Sequence, residues 1–151
     1  MTRLLTLVVL GIALVSTLSE AKSKRIHVTA EVKQATFIGD PDHPKIGEQR
    51  ITSVALLAGD GTEVGTGVGV CTLATPPGPD ALQPCLLTAA FAEGRIILGG
   101  SAPLPEPGAI AQFGIVGGTE EVRQARGEAV LVITPTGDID GTFDVDLPVL
   151  P

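Results

Sequence analysis

Beyond its first two dozen residues, this chain offers no long uninterrupted stretch in which a helix could develop. Nineteen glycines and twelve prolines are spread along its 151 residues. Glycine weakens a helix interior and proline breaks it. Here they divide the sequence into eight short apolar runs bounded by turn-forming residues. Ile26, Val28, Ala30 and Val32 alternate with His27, Thr29, Glu31 and Lys33, the period-two pattern of a half-buried strand. Phe37-Ile38 extends or follows that run, and Gly39-Asp40-Pro41-Asp42-His43-Pro44 ends it in a loop. Further runs follow at 49–58, 63–73, 85–92, 95–101, 110–116, 127–133 and 138–147. Asp60-Gly61, Glu93-Gly94 and Thr134-Pro135-Thr136-Gly137 supply short turns between them, and two proline-rich loops lie at 74–84 and 102–108.

The third run carries a special feature. Val64, Val68 and Val70 share one face with Thr66, while Gly65, Gly67, Gly69 and Cys71 share the other. A glycine row on one face of a strand marks tight curvature or the close approach of another backbone. Small barrels need such bends. The pattern therefore predicts an all-β fold, an eight-stranded antiparallel up-and-down β-barrel closed on itself, which removes the sheet edges. A two-sheet sandwich fits the strand count but does not explain the glycine row.

The composition narrows the function. The chain has four phenylalanines and no tyrosine or tryptophan, and its net charge is −7. It lacks stacking platforms for single-stranded nucleic acid, and its charge opposes both phosphate backbones and anionic membrane surfaces. The eighth run sets Asp138, Asp140, Thr142, Asp144 and Asp146 opposite Ile139, Phe143, Val145 and Leu147. That aspartate stripe reads most simply as a solvated outer face. Calcium is the sharper alternative, but it wants six to eight oxygens gathered together, and a straight strand spaces its carboxylates ~7 Å apart. With His27 and His43 as its only histidines, the chain also lacks the residues of a zinc site. No cofactor or metal is expected.

The N-terminus reads as a signal peptide over residues 1–21. Arg3 supplies the positive start, Leu4 to Leu18 is almost wholly apolar, and Ser19-Glu20-Ala21 offers small residues at a cleavage site. A membrane anchor is the alternative, but the apolar run falls short of the ~20 residues that span a bilayer. Lys22, Lys24 and Arg25 follow the cut, and the mature domain would occupy 22–151 with its charge still −7, because the removed segment holds one Arg and one Glu. The expected location is secreted, with no stable membrane partner. Cys71 and Cys85 are the two cysteines. An exported chain pairs them as a disulfide, whereas a reducing compartment leaves two buried thiols. If the third and fourth runs are antiparallel neighbours, both cysteines lie beside the 74–84 loop, and a cross-strand disulfide would close it.

One stretch carries more specific information. Phe113 to Val116 leads into Gly117-Gly118-Thr119, and Ala125-Arg126-Gly127 leads into the seventh run. This order resembles the signature of the dirigent and allene oxide cyclase-like barrel proteins, with a Gly-Gly-(Ser/Thr)-Gly turn, an aromatic residue and an Ala-Arg-Gly-like step. The chain departs from it at Glu120, where the family usually carries glycine, and at Val122, where it usually carries an aromatic residue. Gly39-Asp40, Asp60-Gly61, Gly65 to Cys71, and Gly94 with Ile96 continue the resemblance in order, so that it covers Ile26 to Leu147.

The resemblance implies an eight-stranded barrel with a ligand cavity. Its members' activities include cyclising an unstable fatty-acid epoxide, steering phenoxy-radical coupling and cyclising polyketide intermediates in bacteria. Plant members often trimerise, so a homo-oligomer is implied here. Such a site works by confining a reactive, flexible molecule in one folded conformer. Three residues become candidates for catalysis. Glu31 lies in the first run, where allene oxide cyclase-like proteins carry a functional carboxylate, although an outer solvated carboxylate explains it too. Asp40 opens the loop at a barrel mouth, where a turn-forming Asp serves equally. Arg126 matches the Ala-Arg-Gly arginine and either holds a ligand oxygen or pairs with Glu121 or Glu128. The expected partner is a small apolar molecule, and two functions stay open: a cofactor-free cyclase or isomerase, and a non-catalytic secreted binding or structural barrel. The absence of tyrosine argues against phenoxy-radical steering of the plant kind.

Overall fold

The computed structural model describes residues 22–78 and 80–147; the segment read as a signal peptide lies outside them. Eight strands follow one another: β1 (Lys22–Ile38), β2 (Gln49–Leu57), β3 (Glu63–Thr72), β4 (Gln83–Phe91), β5 (Gly94–Ala102), β6 (Ile110–Gly118), β7 (Arg126–Ile133) and β8 (Ile139–Leu147). Each pairs antiparallel with the next, and β8 pairs back with β1 to close the barrel. The barrel is the expected all-β fold, and the sandwich alternative falls away because no edge is left open. A row of paired residues that leaves β1 at Phe37 passes through Arg50, Cys71, Cys85, Gly100, Phe113, Ala129 and Phe143 and returns to β1 at Ile26. That offset is the shear of a closed barrel, and it tilts the strands against the barrel axis. β1 is long enough to absorb it: Lys22 to Ala30 pair with β8 and Thr29 to Ile38 with β2, with an irregularity between Val32 and Gln34 in the β2 ladder.

Alternation assigns the two faces. Val28, Leu56, Ile96, Leu98, Phe113, Ile115, Phe143 and Val145 point inward and are buried. Phe91 and Phe143 meet edge to face, with ring centroids 6.3 Å apart, a favoured aromatic geometry. The aspartates of β8 face out, where Arg25 grips Asp144 with two hydrogen bonds of 2.6 and 3.0 Å and Thr29 donates to Asp140. Gly67 and Gly69 face inward and are buried. A Cβ on Gly67 would meet Val54 at 2.7 Å, and one on Gly69 would strike Leu87. The glycine row thus lets the neighbouring side chains fold over bare backbone.

The Gly-Gly-Thr stretch differs from expectation. Gly117 and Gly118 do not make the φ > 0 turn; they continue β6. Thr119 holds the strand end to Arg95, donating from its backbone N–H to the carbonyl at 2.9 Å and accepting at its hydroxyl from the Arg95 N–H at 3.1 Å. Gly118 is needed because a Cβ would press on the Val122 and Arg95 carbonyl oxygens. The left-handed residue is Glu120, at φ 53°, the position at which the chain departs from the Gly-Gly-(Ser/Thr)-Gly signature it resembles. It opens a short 3-10 turn, Glu120–Val122.

Four loops gather at one end of the barrel: 39–48, 73–82, 103–109 and 134–138. The 73–82 loop is not wholly solvated, since Leu73 and Ala81 are buried. At the other end lie the short β2–β3 and β4–β5 turns, the Glu120–Val122 turn, and the start of β1 and end of β8.

Candidate functional site

Inside the loop end lies a cavity of about 110 Å³, walled by β2–β8 and the 103–109 loop. A second cavity of about 80 Å³ lies deeper and shares Thr52, Gly69, Leu87, Leu131 and Ile139 with the first. Side-chain size explains the space. Along the inward positions, β3 contributes Gly67 and Gly69, β4 Ala89, β5 Ala102, β6 Ala111 and β8 Gly141. Where an eight-stranded barrel of large residues would fill itself, these leave a void. Leu87, Leu98, Leu131, Ile139 and Phe143 make its walls apolar.

Apart from Thr52 and Thr88 in the deeper cavity, the polar side chains lie near the mouth. Arg50, Thr52 and Gln83 line the upper cavity, beside the Cys71–Cys85 disulfide. The two cysteines are directly opposed on β3 and β4, with Cα atoms 4.1 Å apart, so the bond closes the proline loop as the strand order suggested. Arg50 stands next to Cys71 on the same row. Its guanidinium is more than half buried, and burial pushes its pKa below the usual arginine range. No carboxylate among the described residues lies within ion-pairing distance of it. Gln83 is buried, and its amide Nε2 donates to the Pro103 carbonyl at 3.1 Å. Because a carbonyl can only accept, that bond fixes which amide atom is which. The Gln83 Oε1 then has no protein donor among the described residues.

The three candidates read from the sequence lie elsewhere, and the structure does not bring them together. Glu31 is on the outer face of β1, paired with Lys33 at 2.8 Å. Asp40 organises the loop at the mouth, accepting from the Asp42 and His43 N–H groups and contacting the His43 Nδ1 at 3.3 Å. Arg126 is exposed at the opposite end and donates to the Ala125 carbonyl at 2.8 Å. None of the three lines either interior cavity. A larger pocket of about 730 Å³ occupies that opposite end, and Glu63, Glu93, Glu121, Lys24 and His27 are among its lining residues. Its lining mixes apolar side chains such as Ile26, Phe91, Ile96 and Val145 with five ionisable ones, whereas the interior cavities carry Arg50 as their one ionisable group.

Fold and cavity together define an eight-stranded antiparallel barrel with a small apolar chamber opening at one end. No known family's sequence profile matches the chain, and no curated protein matches it. Among solved structures it is similar to a pyocyanin demethylase, at 23% identity and TM-score 0.69 over 81% of this chain and 99% of that one. It is similar to a pterocarpan synthase dirigent protein, at 19% identity and TM-score 0.69 over 98% of each chain. A heme-binding cyclase that catalyses a cycloaddition in neoabyssomicin biosynthesis superposes at TM-score 0.70 and 18% identity, over 86% of this chain and 66% of its own. The chain therefore shares its fold with a dirigent protein and with cyclase barrels, as the Gly-Gly-Thr and Ala-Arg-Gly steps implied.

Proposed function

We propose that this protein is a secreted barrel that binds a small apolar molecule in the interior cavity and favours one folded conformer, so guiding a cyclisation or isomerisation without a covalent intermediate. The observation that carries it is the chamber itself: adjoining voids of about 110 and 80 Å³ left open by small residues on five strands. Chambers of about 150 Å³ with such walls stay dry and take a benzene-sized guest. Confinement suits these walls, because the described lining offers no carboxylate or imidazole for acid–base chemistry. The cyclase and dirigent names of the structural relatives support the same reading. The disulfide, and a described chain with no helix long and apolar enough to cross a membrane, are compatible with export after removal of residues 1–21. Glu31, Asp40 and Arg126 enter this proposal from outside the chamber, with Asp40 shaping its mouth loop.

That same lining favours one second reading, a non-catalytic carrier. A self-associating form fits the outer wall of β3 and β4, where Val64, Val68 and Leu86 are exposed and no charged side chain interrupts Val64 to Val70 or Pro84 to Ala90. The test of the main reading is native mass spectrometry of protein recovered from its own culture medium, before and after organic extraction. A discrete apolar adduct, converted when its precursor is supplied, supports catalysis. An adduct recovered unchanged supports the carrier. An empty protein that takes up no molecule from medium extract would sink both. The chain has no tyrosine or tryptophan, so an aromatic guest is also visible near 280 nm against an almost blank protein.

A further inference from the structure

We infer that Arg50 makes this chamber selective for guests that carry an anionic oxygen group, a carboxylate or enolate, on an apolar body. The inference rests on the cavity reading above and adds the chemistry of the guest's head.

Arg50 is placed by β2. Thr52, Val54 and Leu56 alternate inward behind it and line the chamber, so Arg50 shares their phase and its side chain enters at the rim. It also lines a surface groove formed by the 105–107 and 135–137 segments, and thus stands between solvent and interior. Glu106 lines that groove as well, yet it makes no ion pair with Arg50. A guanidinium withdrawn from water needs an anion or several acceptors to offset its desolvation. Its five donors form a planar fork that matches a carboxylate. A guest entering there meets a cation on β2, with apolar walls below. An anionic oxygen, or one that gains negative charge as a bond reorganises, is stabilised at that rim while the carbon skeleton folds in the chamber.

The test uses benzoate and toluene, one ring with and without the charged head, titrated into the disulfide-intact protein by calorimetry and by methyl chemical-shift changes at the interior leucines and valines. The expected result is that both bind, with benzoate tighter by about 10- to 100-fold, the range for a charge-assisted hydrogen-bonded pair. Arg50→Met should erase that difference and leave toluene binding within about twofold, because methionine keeps the length of the stem without the charge. Arg50→Lys should restore part of it. Toluene binding by the variant also reports that the barrel is folded. If toluene binds and benzoate binds no better, or if Arg50→Met leaves the preference intact, the role of Arg50 is overturned while the chamber stands. If neither compound shifts an interior methyl group, the cavity reading fails, and this inference with it.

Discussion

Filling the chamber from one wall should make the barrel more stable and blind to its guest. Ala111 is the position of choice, since it faces the upper cavity from β6, opposite Leu131 on β7. At about 24 cal/mol per Å³ of void, an empty space of 110 Å³ forgoes about 2.6 kcal/mol of packing. Ala111→Leu adds three carbons, worth at most about 2.4 kcal/mol at ~0.8 kcal/mol for each buried methylene. Adjustment of Leu131 and Phe113 and the opening to solvent reduce this, so the expected gain is about 1–2 kcal/mol. For a domain of this length that raises Tm by about 3–8 °C. Differential scanning calorimetry with and without saturating toluene reads both halves of the claim. The unliganded variant should melt higher than the parent, and the toluene-induced rise in Tm, which follows RT ln(1 + [L]/Kd), should shrink or vanish. A variant that melts lower while its toluene response is unchanged would refute the reasoning, because the void would then be neither fillable nor the place where the guest sits.

Three further outcomes follow from the same geometry. Glu120→Gly should stabilise the protein by about 0.5–1 kcal/mol, because glycine removes the left-handed penalty of ~1–2 kcal/mol but adds freedom to the unfolded chain; a chemical denaturation midpoint shifted upward is the check. Reducing the Cys71–Cys85 bond, whose cysteines lie 14 residues apart, should cost about 3 kcal/mol of stability, read as a lower urea midpoint with dithiothreitol present. The Arg25 guanidinium holds the Asp144 carboxyl below its ordinary pKa of 3.8. A depressed carboxylate stabilises the fold above its unfolded pKa and loses that contribution as pH falls through the folded value. Asp144→Asn should therefore lower Tm at pH 7 and flatten its decline below about pH 4, where the carboxylate of the parent protonates.

The strands were legible because their boundaries are chemical. Proline loops, Asp-Gly and the Thr-Pro-Thr-Gly stretch mark where pairing stops, and the eight runs coincide with the eight strands to within a few residues. The closing β1–β8 pair was implied by the glycine row and by the resemblance, not by any local pattern. The site was harder to see. β2 is apolar on both faces, with Ile51 and Leu57 on one and Val54 and Leu56 on the other, so its phase could not be fixed. With the phase known, Arg50 is the charged residue that travels with Thr52, Val54 and Leu56, and that signal was present in the sequence. Gln83 was hidden by its place at the end of a proline loop. It is buried and bonded to the Pro103 carbonyl of another loop, and that is not a local property. Glu31 and Arg126 sat in well-defined strands, but alternation alone left open which face each strand turned inward.

The bare β3 wall also shapes how such a chamber can change over generations. A side chain at Gly67 would crowd Val54, and one at Gly69 would crowd Leu87, so a substitution on that wall must first displace a neighbouring side chain. Ala102 and Ala111 border open space. New guests should thus be acquired through the β5 and β6 side, one methyl group at a time, while the cation on β2 keeps the same grip on whatever head they carry. The barrel would then have one crowded wall and one with room to grow.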